Sequence, residues 1–310
     1  MQNQPISISI VTPVHNRKDL TLLCLKSINR LNCEGLKVNV IIVDDGTTDG
    51  TGEAIKESFP GVEIIDGDGT LWFTEGTNVG IRAALKRESK YILLINDDQV
   101  FDENSLKYMV ETAEKYPKTI VGSLLLLWDT PHKLFQVSPI WDTFAGGWRH
   151  WHHQTIWTIP NKPWEVGIIV GNCLLVPTEA FLKFGLMDSK RFPNFGDAEL
   201  TPRMKRKGYN LLIDPRARVF CQPNNLPNRV SKMTFSQKFD ALFINLGHIH
   251  NLRRRFYATM AGSPNYLNGI ISFISFFIKL ALGKNAESSY AATLKEKPLT
   301  ETFVNKIVTE

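Results

Sequence analysis

Between Ile6 and Leu127 the chain repeats one pattern: a short β-branched run, a stretch with helical spacing, then another β-branched run. Such alternation marks parallel strands joined by crossover helices, because a parallel connection must carry the chain back along the sheet before the next strand begins. The spacing predicts strands over Ile6–Val14, Val38–Asp44, Val62–Asp66, Tyr91–Ile95 and Ile120–Leu127. Helices are predicted over Asp19–Asn29, Thr51–Phe59, Asn78–Arg87 and Ser105–Lys115, several of them opening on a side chain that caps a first turn. This half reads as a nucleotide-binding α/β layer.

After Trp128 a stretch rich in Trp, His, Pro and Gly runs to Pro163 without a sustained period, and it is expected to form a loop or short-strand excursion. Regular spacing then returns. It predicts a strand over Val166–Val176, helices over Thr178–Phe184 and Thr201–Lys207, short strands over Asn210–Asp214 and Ala217–Phe220, and a mostly helical tail from Ser231. With 310 residues and 43% hydrophobic content the chain can bury a full core.

Charge and cysteine content narrow the function classes. A net charge of +5 is too small to indicate a nucleic-acid partner. Cys24, Cys33, Cys173 and Cys221 have neither CxxC spacing nor the density of a disulfide scaffold, so reduced thiols and a cytoplasmic location are expected. The N-terminus carries no secretory pattern, and the longest apolar stretch, Leu267–Leu282, is broken by Asn268, Ser272, Ser275 and Lys279 and falls short of the roughly 20 residues a spanning helix needs.

Two acidic runs carry the chemistry. VDDGTTDGT, Val43–Thr51, puts Asp44 and Asp45 at the carboxyl end of a strand, the edge where ligands sit in open α/β sheets. A carboxylate there can accept from a base N–H or a ribose hydroxyl, or simply cap its own turn. LLINDDQV, Leu93–Val100, delivers Asn96, Asp97 and Asp98 from a buried strand to the same edge, an arrangement suited to a hard Mg²⁺ or Mn²⁺ ion bridging diphosphate oxygens.

VTPVHNR (Val11–Arg17), VDDGTTDGT, GTLWFTEGTNVGIRAAL (Gly69–Leu85), LLINDDQV and GDAELTPRMKRKGY (Gly196–Tyr209) follow one another in the order of the family 2 glycosyltransferases. Over about residues 6–225 the chain resembles that family, particularly its bacterial branch of rhamnosyltransferases and other cell-surface polysaccharide transferases. The resemblance implies a GT-A fold: an α/β mixed sheet with a parallel Rossmann-like half, flanked by helices, followed by a C-terminal helical extension. It implies a catalytic domain over 1–230, with a donor half to about 127 and an acceptor half from 128, and an extension over 231–310.

The resemblance further implies inverting transfer of a sugar from a dTDP- or UDP-linked donor to a hydroxyl of a glycan or lipid-linked acceptor, with a divalent cation, Mg²⁺ or Mn²⁺. Thr12, Pro13 and Asn16 would border the nucleotide, Asp44 and Asp45 would contact base and ribose, and Gly76, Asn78 and Asp97 would shape the donor pocket. Gly76, Asn78 and Gly80 read as a turn opening a helix, where N–H groups meet an anion, or as a cap with close packing at Gly80. Asp98 would ligate the metal. Asp197 would be the base that takes the acceptor proton, with Glu199 in reserve.

This chain departs from the family pattern at Asn96, where an acid is frequent, at Gly196, where many relatives have Glu, and at Cys221, where many have a metal-ligating His. Pro202 suggests a helix starting at Thr201, with Asp197 and Glu199 on the loop before it. A buried structural thiol is the expected state of Cys221, and metal is expected to bind mainly with the nucleotide. A sugar-phosphate nucleotidyltransferase would share the layers but open with a glycine-rich basic loop that VTPVHNR lacks, and a catalytically inactive carbohydrate-binding protein of the same fold is the remaining class.

WRHWHHQ, Trp148–Gln154, gathers histidines without the spacing of a metal site. Trp141, Trp148, Trp151 and Trp157 offer flat faces to sugar rings or pack a long loop. His248 and His250 are expected on a helix without a special role. In the tail, Asn268, Ser272, Ser275 and Lys279 form a narrow polar stripe on an apolar helix, and HIHNLRRRFY (His248–Tyr257) supplies cations. The tail is therefore expected to pack on the catalytic domain, to pack on a second copy, or to dock peripherally on the inner face of the cell membrane.

Overall fold

The computed structural model describes residues 4–137, 140–151, 154–222, 233–246, 248 and 250–282. His152, His153 and the tail beyond Leu282 lie outside them. Its centre is a nine-stranded mixed sheet. The first half alternates as the sequence predicts: β1 (Ile6–Val14), α1 (Lys18–Asn29), β2 (Leu36–Asp44), α2 (Thr51–Ser58), β3 (Glu63–Asp66), α3 (Trp72–Lys86), β4 (Tyr91–Ile95), β5 (Gln99–Phe101), α4 (Ser105–Lys115) and β6 (Thr119–Leu127). There follow a hairpin of β7 (Ile140–Asp142) and β8 (Gly147–Arg149), then β9 (Trp164–Glu165), β10 (Cys173–Pro177), α5 (Thr178–Phe184), α6 (Asp197–Arg206) and β11 (Asn210–Cys221). The C-terminal part holds α7 (Phe235–Phe239), a π-helical turn (Asp240–Ile244), α8 (Leu252–Gly262) and α9 (Tyr266–Ala281).

The strand order is β3-β2-β1-β4-β10-β6-β11-β5, with β9 on the flank of β11. The first four strands are parallel, β10 runs against both β4 and β6, and β11 is parallel to β6. From β1 the chain moves outward to β2 and β3 and then returns to β4 on the other side. The crevice beyond the carboxyl ends of β1 and β4 is thus a topological switch point, where α/β sheets bind ligands.

Strand alternation builds a core on each face. Ile8, Ile10, Ile42, Leu93 and Ile95 pack with Leu25, Ile28, Ile55 and Met109 from α1, α2 and α4. Val11, Ile41, Ile92 and Leu94 pack on the other face with Ile81, Phe181, Leu200 and Met204 from α3, α5 and α6. Gly80 brings α3 onto β1: a Cβ there would stand 2.3 Å from Cγ1 of Val11, which is fully buried. Gly80→Ala is therefore expected to destabilise the protein by about 1–2 kcal/mol, the overpacking cost less the gain in helix propensity. Gly61→Ala, where a Cβ meets nothing within 4 Å, is the control in the same denaturation experiment.

Four expectations need correction. The strand predicted over Val166–Val176 is formed only from Cys173, because Gly167 and Gly171 admit other side chains: a Cβ on them would meet Trp148 at 2.2 Å and Asp197 at 2.8 Å. The helix predicted from Asn78 starts at Trp72, so Gly76, Asn78 and Gly80 lie within it rather than in a turn that opens it. The helix predicted from Thr201 starts at Asp197, with Pro202 inside it. Fully buried Leu200 and Met204 anchor that helix in the core, and the Thr201 hydroxyl, 3.0 Å from the Ile169 carbonyl and accepting from the Ile169 N–H, ties its first turns to the preceding segment. Finally, His248 and His250 precede α8, whose N-cap is Asn251.

Candidate functional site

At the end of β1 the chain turns through His15 and Asn16, the latter in the left-handed region at φ 52°. The Asn16 side chain accepts from the Thr48 N–H at 2.7 Å, and a His15 ring nitrogen lies 2.6 Å from the Asp45 carbonyl. These contacts tie the first motif to the second. Thr12 is buried, with its hydroxyl directed to the Pro13 carbonyl, while Pro13 packs against Gly76 and lines the cleft.

Asp44 caps its own turn, accepting from the N–H and hydroxyl of Thr47 at 2.9 and 2.8 Å. Asp45, 6% exposed, accepts from the N–H groups of Gly69, Leu71 and Trp72 at 2.9, 3.3 and 3.1 Å. It thereby holds Trp72 at φ 58° with its indole half exposed. A bulky non-glycine residue in that region carries local strain of order 1–3 kcal/mol, which a surrounding hydrogen-bond set must sustain. The result is a cleft of about 360 Å³ lined by Pro13, His15, Arg17, Asp45, Trp72, Phe73 and Asn194. A larger cavity of about 570 Å³ lies at the opposite end of the strands, where Lys90 and Tyr91 pair with Glu114.

Arg17 joins this cleft to the acidic pair at the end of β4. Its guanidinium donates to Asp97 and, at 2.8 Å, to Asp98, whose side chains are 1% and 5% exposed. Thr21 on α1 donates to the other Asp97 oxygen at 2.9 Å. Burial pushes the Asp97 carboxyl up to about 6, with the Arg17 charge opposing it and the Asp98 charge adding to it. Asn96 Oδ1 and both polar side-chain atoms of Gln99 are buried without a hydrogen-bond partner.

The donor set suits a hard cation in chemistry and falls short in number. Asp98 and the unpartnered Asn96 oxygen are oxygen ligands of the kind Mg²⁺ and Mn²⁺ take, whereas Asp97 is held by Thr21 and Arg17. Burial drives the Cys221 thiol well above its ordinary pKa, which keeps it protonated and a poor ligand. Among the described residues no three His, Cys, Asp or Glu side chains gather to hold a metal. Phosphate oxygens from a nucleotide would complete the set.

Asp197 opens α6. Gly171 donates its N–H to the Asp197 carboxylate at 2.9 Å, and the neighbouring Asn172 carbonyl accepts from the Asn96 N–H at 3.0 Å, a short link between Asp197 and the β4 turn. Burial raises the Asp197 carboxyl above the usual carboxylate range, opposed by N–H donors and by the charge of Arg254 on α8. Arg254 is 7% exposed and stacks 3.4 Å from the centroid of Phe195. Gly196 has a steric reason: a Cβ there would stand 2.5 Å from Thr74 and 2.8 Å from Met187 sulfur.

The other expected residues have structural partners. Glu199 is paired with Arg203, whose guanidinium also donates to the Phe184 and Leu186 carbonyls. Asn78 exchanges hydrogen bonds with the Met187 backbone at 2.9 and 3.1 Å, fixing the segment that leads to Asn194 and Asp197. Trp148 packs under Gly167 and edge-on to Trp141, Trp151 stacks with Trp164, and Trp157 remains 74% exposed. Arg17, His15 and Trp72 received no role from the sequence, and Arg254 entered only as one of the cations of HIHNLRRRFY. Arg17 and Trp72 stood inside quoted motifs, but nothing in their spacing announced a salt bridge or a left-handed backbone.

The model of Glycosyl transferase family 2 matches residues 9–181. An N-acetylglucosaminyl-diphospho-decaprenol L-rhamnosyltransferase of Mycobacterium tuberculosis is 24% identical over 205 residues, 59% of this chain and 66% of the relative, just short of two thirds of its length. Glycosyltransferase GlyG of Streptococcus pneumoniae is 25% identical over 120 residues, 37% of this chain and 38% of the relative. Among solved structures, GalNAc-T7 with UDP, GalNAc and Mn²⁺ superposes with a TM-score of 0.60 at 12% identity, over 93% of this chain and 59% of that one. A mannosyltransferase of Pyrobaculum calidifontis with GDP-Man and Mn²⁺ gives 0.50 at 14%, over 94% and 79%. These likenesses agree with the mixed sheet and its C-terminal helices: the fold is GT-A.

Proposed function

Because this chain belongs to glycosyl transferase family 2, we propose that it moves a sugar, with inversion, from a dTDP- or UDP-linked donor to an acceptor hydroxyl in cell-surface polysaccharide synthesis. One observation carries the reading: Arg17 lines the cleft beside Asp45 and Trp72 while it bridges the buried Asp97–Asp98 pair. A nucleotide-sized cleft and a hard-cation ligand thus meet at the switch point of the sheet. The mycobacterial relative's name, a transferase acting on a lipid-linked diphosphate sugar, supports a glycan or lipid-linked acceptor.

In this scheme His15, Asp45 and Trp72 form the base and ribose end of the cleft. Asp98 and Asn96 would hold Mg²⁺ or Mn²⁺ together with the diphosphate, and the cation would stabilise the negative charge of the leaving group. The Asp197 carboxylate takes the acceptor proton as the hydroxyl attacks the anomeric carbon from the side opposite the diphosphate. Glu199, tied to Arg203, keeps the helix in place.

The test is release of nucleoside diphosphate from a panel of nucleotide sugars by the purified chain with Mn²⁺, alongside Asp98→Ala. The expected result is consumption of one donor class and its loss in the variant. No release from any donor, together with no binding of UDP, dTDP or GDP, retires the reading. The raised Asp197 pKa also sets a pH dependence: the base works deprotonated, so kcat/KM is expected to fall on the acid side at a pH above the usual carboxylate range. Arg254→Gln removes a charge that lowers that pKa and is expected to move the acid limb to higher pH, while Arg254→Lys leaves it near wild type.

A further inference from the structure

The polar stripe of α9 is turned inward. Ser272 donates to the Thr143 carbonyl at 2.9 Å, and Ser275 and Lys279 both donate to the Phe144 carbonyl, at 2.5 and 3.0 Å, so these polar groups are held by the tip of the β7–β8 hairpin. The adjoining face, about a quarter turn round the helix, is apolar and open. Leu267, Ile274, Ile278 and Leu282 recur at spacings of seven, four and four, are 66%, 51%, 51% and 64% exposed, and are flanked by Phe277 and Tyr266. The Phe144 side chain, beside the stripe's anchor point, is 77% exposed. A helix whose polar groups bind the protein while its greasy face meets solvent is inverted relative to an ordinary surface helix.

Charge separates the candidate occupants. From Ala241 to Leu282 there is no Asp or Glu, while Arg253, Arg254, Arg255 and Lys279 occur. Arg254 and Arg255 are largely buried and Arg253 is exposed. A two-fold interface would bring together two copies of a basic segment that has no carboxylate between Ala241 and Leu282 to balance its charge. An anionic bilayer supplies both the apolar depth and the opposite charge. No described helix is long and apolar enough to cross a membrane, which leaves α9 lying in the interface, about 24 Å long at 1.5 Å per residue.

We infer that α9 and the Phe144 tip form a docking face for an anionic lipid bilayer, inserting Leu267, Ile274, Ile278 and Phe144 among the acyl chains. This inference stands on the contacts of α9 and not on the proposed reaction, although it would bring the cleft to a lipid-linked acceptor.

Co-sedimentation of the full chain with vesicles of phosphatidylcholine alone or with phosphatidylglycerol tests it. Binding is expected to the anionic vesicles and to weaken with added salt. Ile274→Ser/Ile278→Ser and, separately, Phe144→Ser are expected to bind at least about tenfold more weakly, with unchanged circular dichroism and nucleotide binding. No binding of the wild type to anionic vesicles, or equal binding of the double variant, overturns the proposal. So does a concentration-dependent dimer that the double variant makes monomeric while vesicle binding is unaltered. Nucleotide binding and donor hydrolysis are measured without vesicles, so either reading fails alone.

Discussion

Asp197→Asn is expected to lower the rate of transfer by about 10² to 10⁴ while leaving nucleotide binding and folding intact. The amide keeps an oxygen for the Gly171 N–H and keeps its place at the start of α6, so what is removed is the ability to take a proton. The sign of the stability change points the same way. A carboxyl whose folded pKa is raised adds stability below its unfolded pKa and loses that contribution as pH rises through the folded value. The charged form of this carboxyl therefore costs stability relative to its neutral form, and the neutral amide is expected to match or exceed the wild type in thermal denaturation. A variant that keeps its transfer rate, while Glu199→Gln loses it, would move the base to Glu199.

The second large effect is expected at Arg17. Arg17→Met leaves two neighbouring carboxylates, Asp97 and Asp98, buried with the Thr21 hydroxyl on one of them. Removing one partner of a buried pair typically costs 3–5 kcal/mol, but the Arg17 side chain is 37% exposed, so water screening reduces the expected loss to about 2 kcal/mol. In a chain of 310 residues that is a fall in Tm of about 3 °C. Asp97→Asn in the same background is expected to restore much of it, and a double-mutant cycle reads the coupling. Because a divalent cation at the proposed site would draw on the same Asp98 carboxylate as the guanidinium, Mg²⁺ is expected to raise the Tm of Arg17→Met more than that of the wild type. An unchanged Tm in Arg17→Met would show that the bridge contributes nothing to the fold.

The two positions also show how far the site was legible. Asp98 and Asp197 stood in motifs whose order resembles a known family, and hydrophobic strands ending in carboxylates announce a sheet edge without any tertiary information. Arg17 was visible as part of VTPVHNR, but its partners lie 80 and 81 residues away, and no local rule relates them. The same distance hides the roles of Asn78 and Gly196. Asn78 reads as a cap by composition, yet it serves the Met187 backbone 109 residues on, and Gly196 reads as a lost acid until Thr74 and Met187 are seen to leave no room for one.

The C-terminal helix carries the same lesson in reverse. Its polar stripe was plain from the spacing of Ser272, Ser275 and Lys279, yet which way it faced was not, because a narrow row of polar residues is as content with carbonyls as with water. The carbonyls of Thr143 and Phe144 decided the matter.

By itself the sequence determined the strands β1, β2, β4 and β6, the helices between them, and the edge at which Asp45 and Asp98 emerge. Those follow from backbone sterics and side-chain periodicity, which act over a few residues. The tertiary structure decided where α3 and α6 begin, which acid is paired and which is enclosed, and what α9 presents to solvent. Each of those depends on groups far apart in the chain meeting in a crowded interior, where a buried charge needs its partner and a glycine gives way to whatever packs on it.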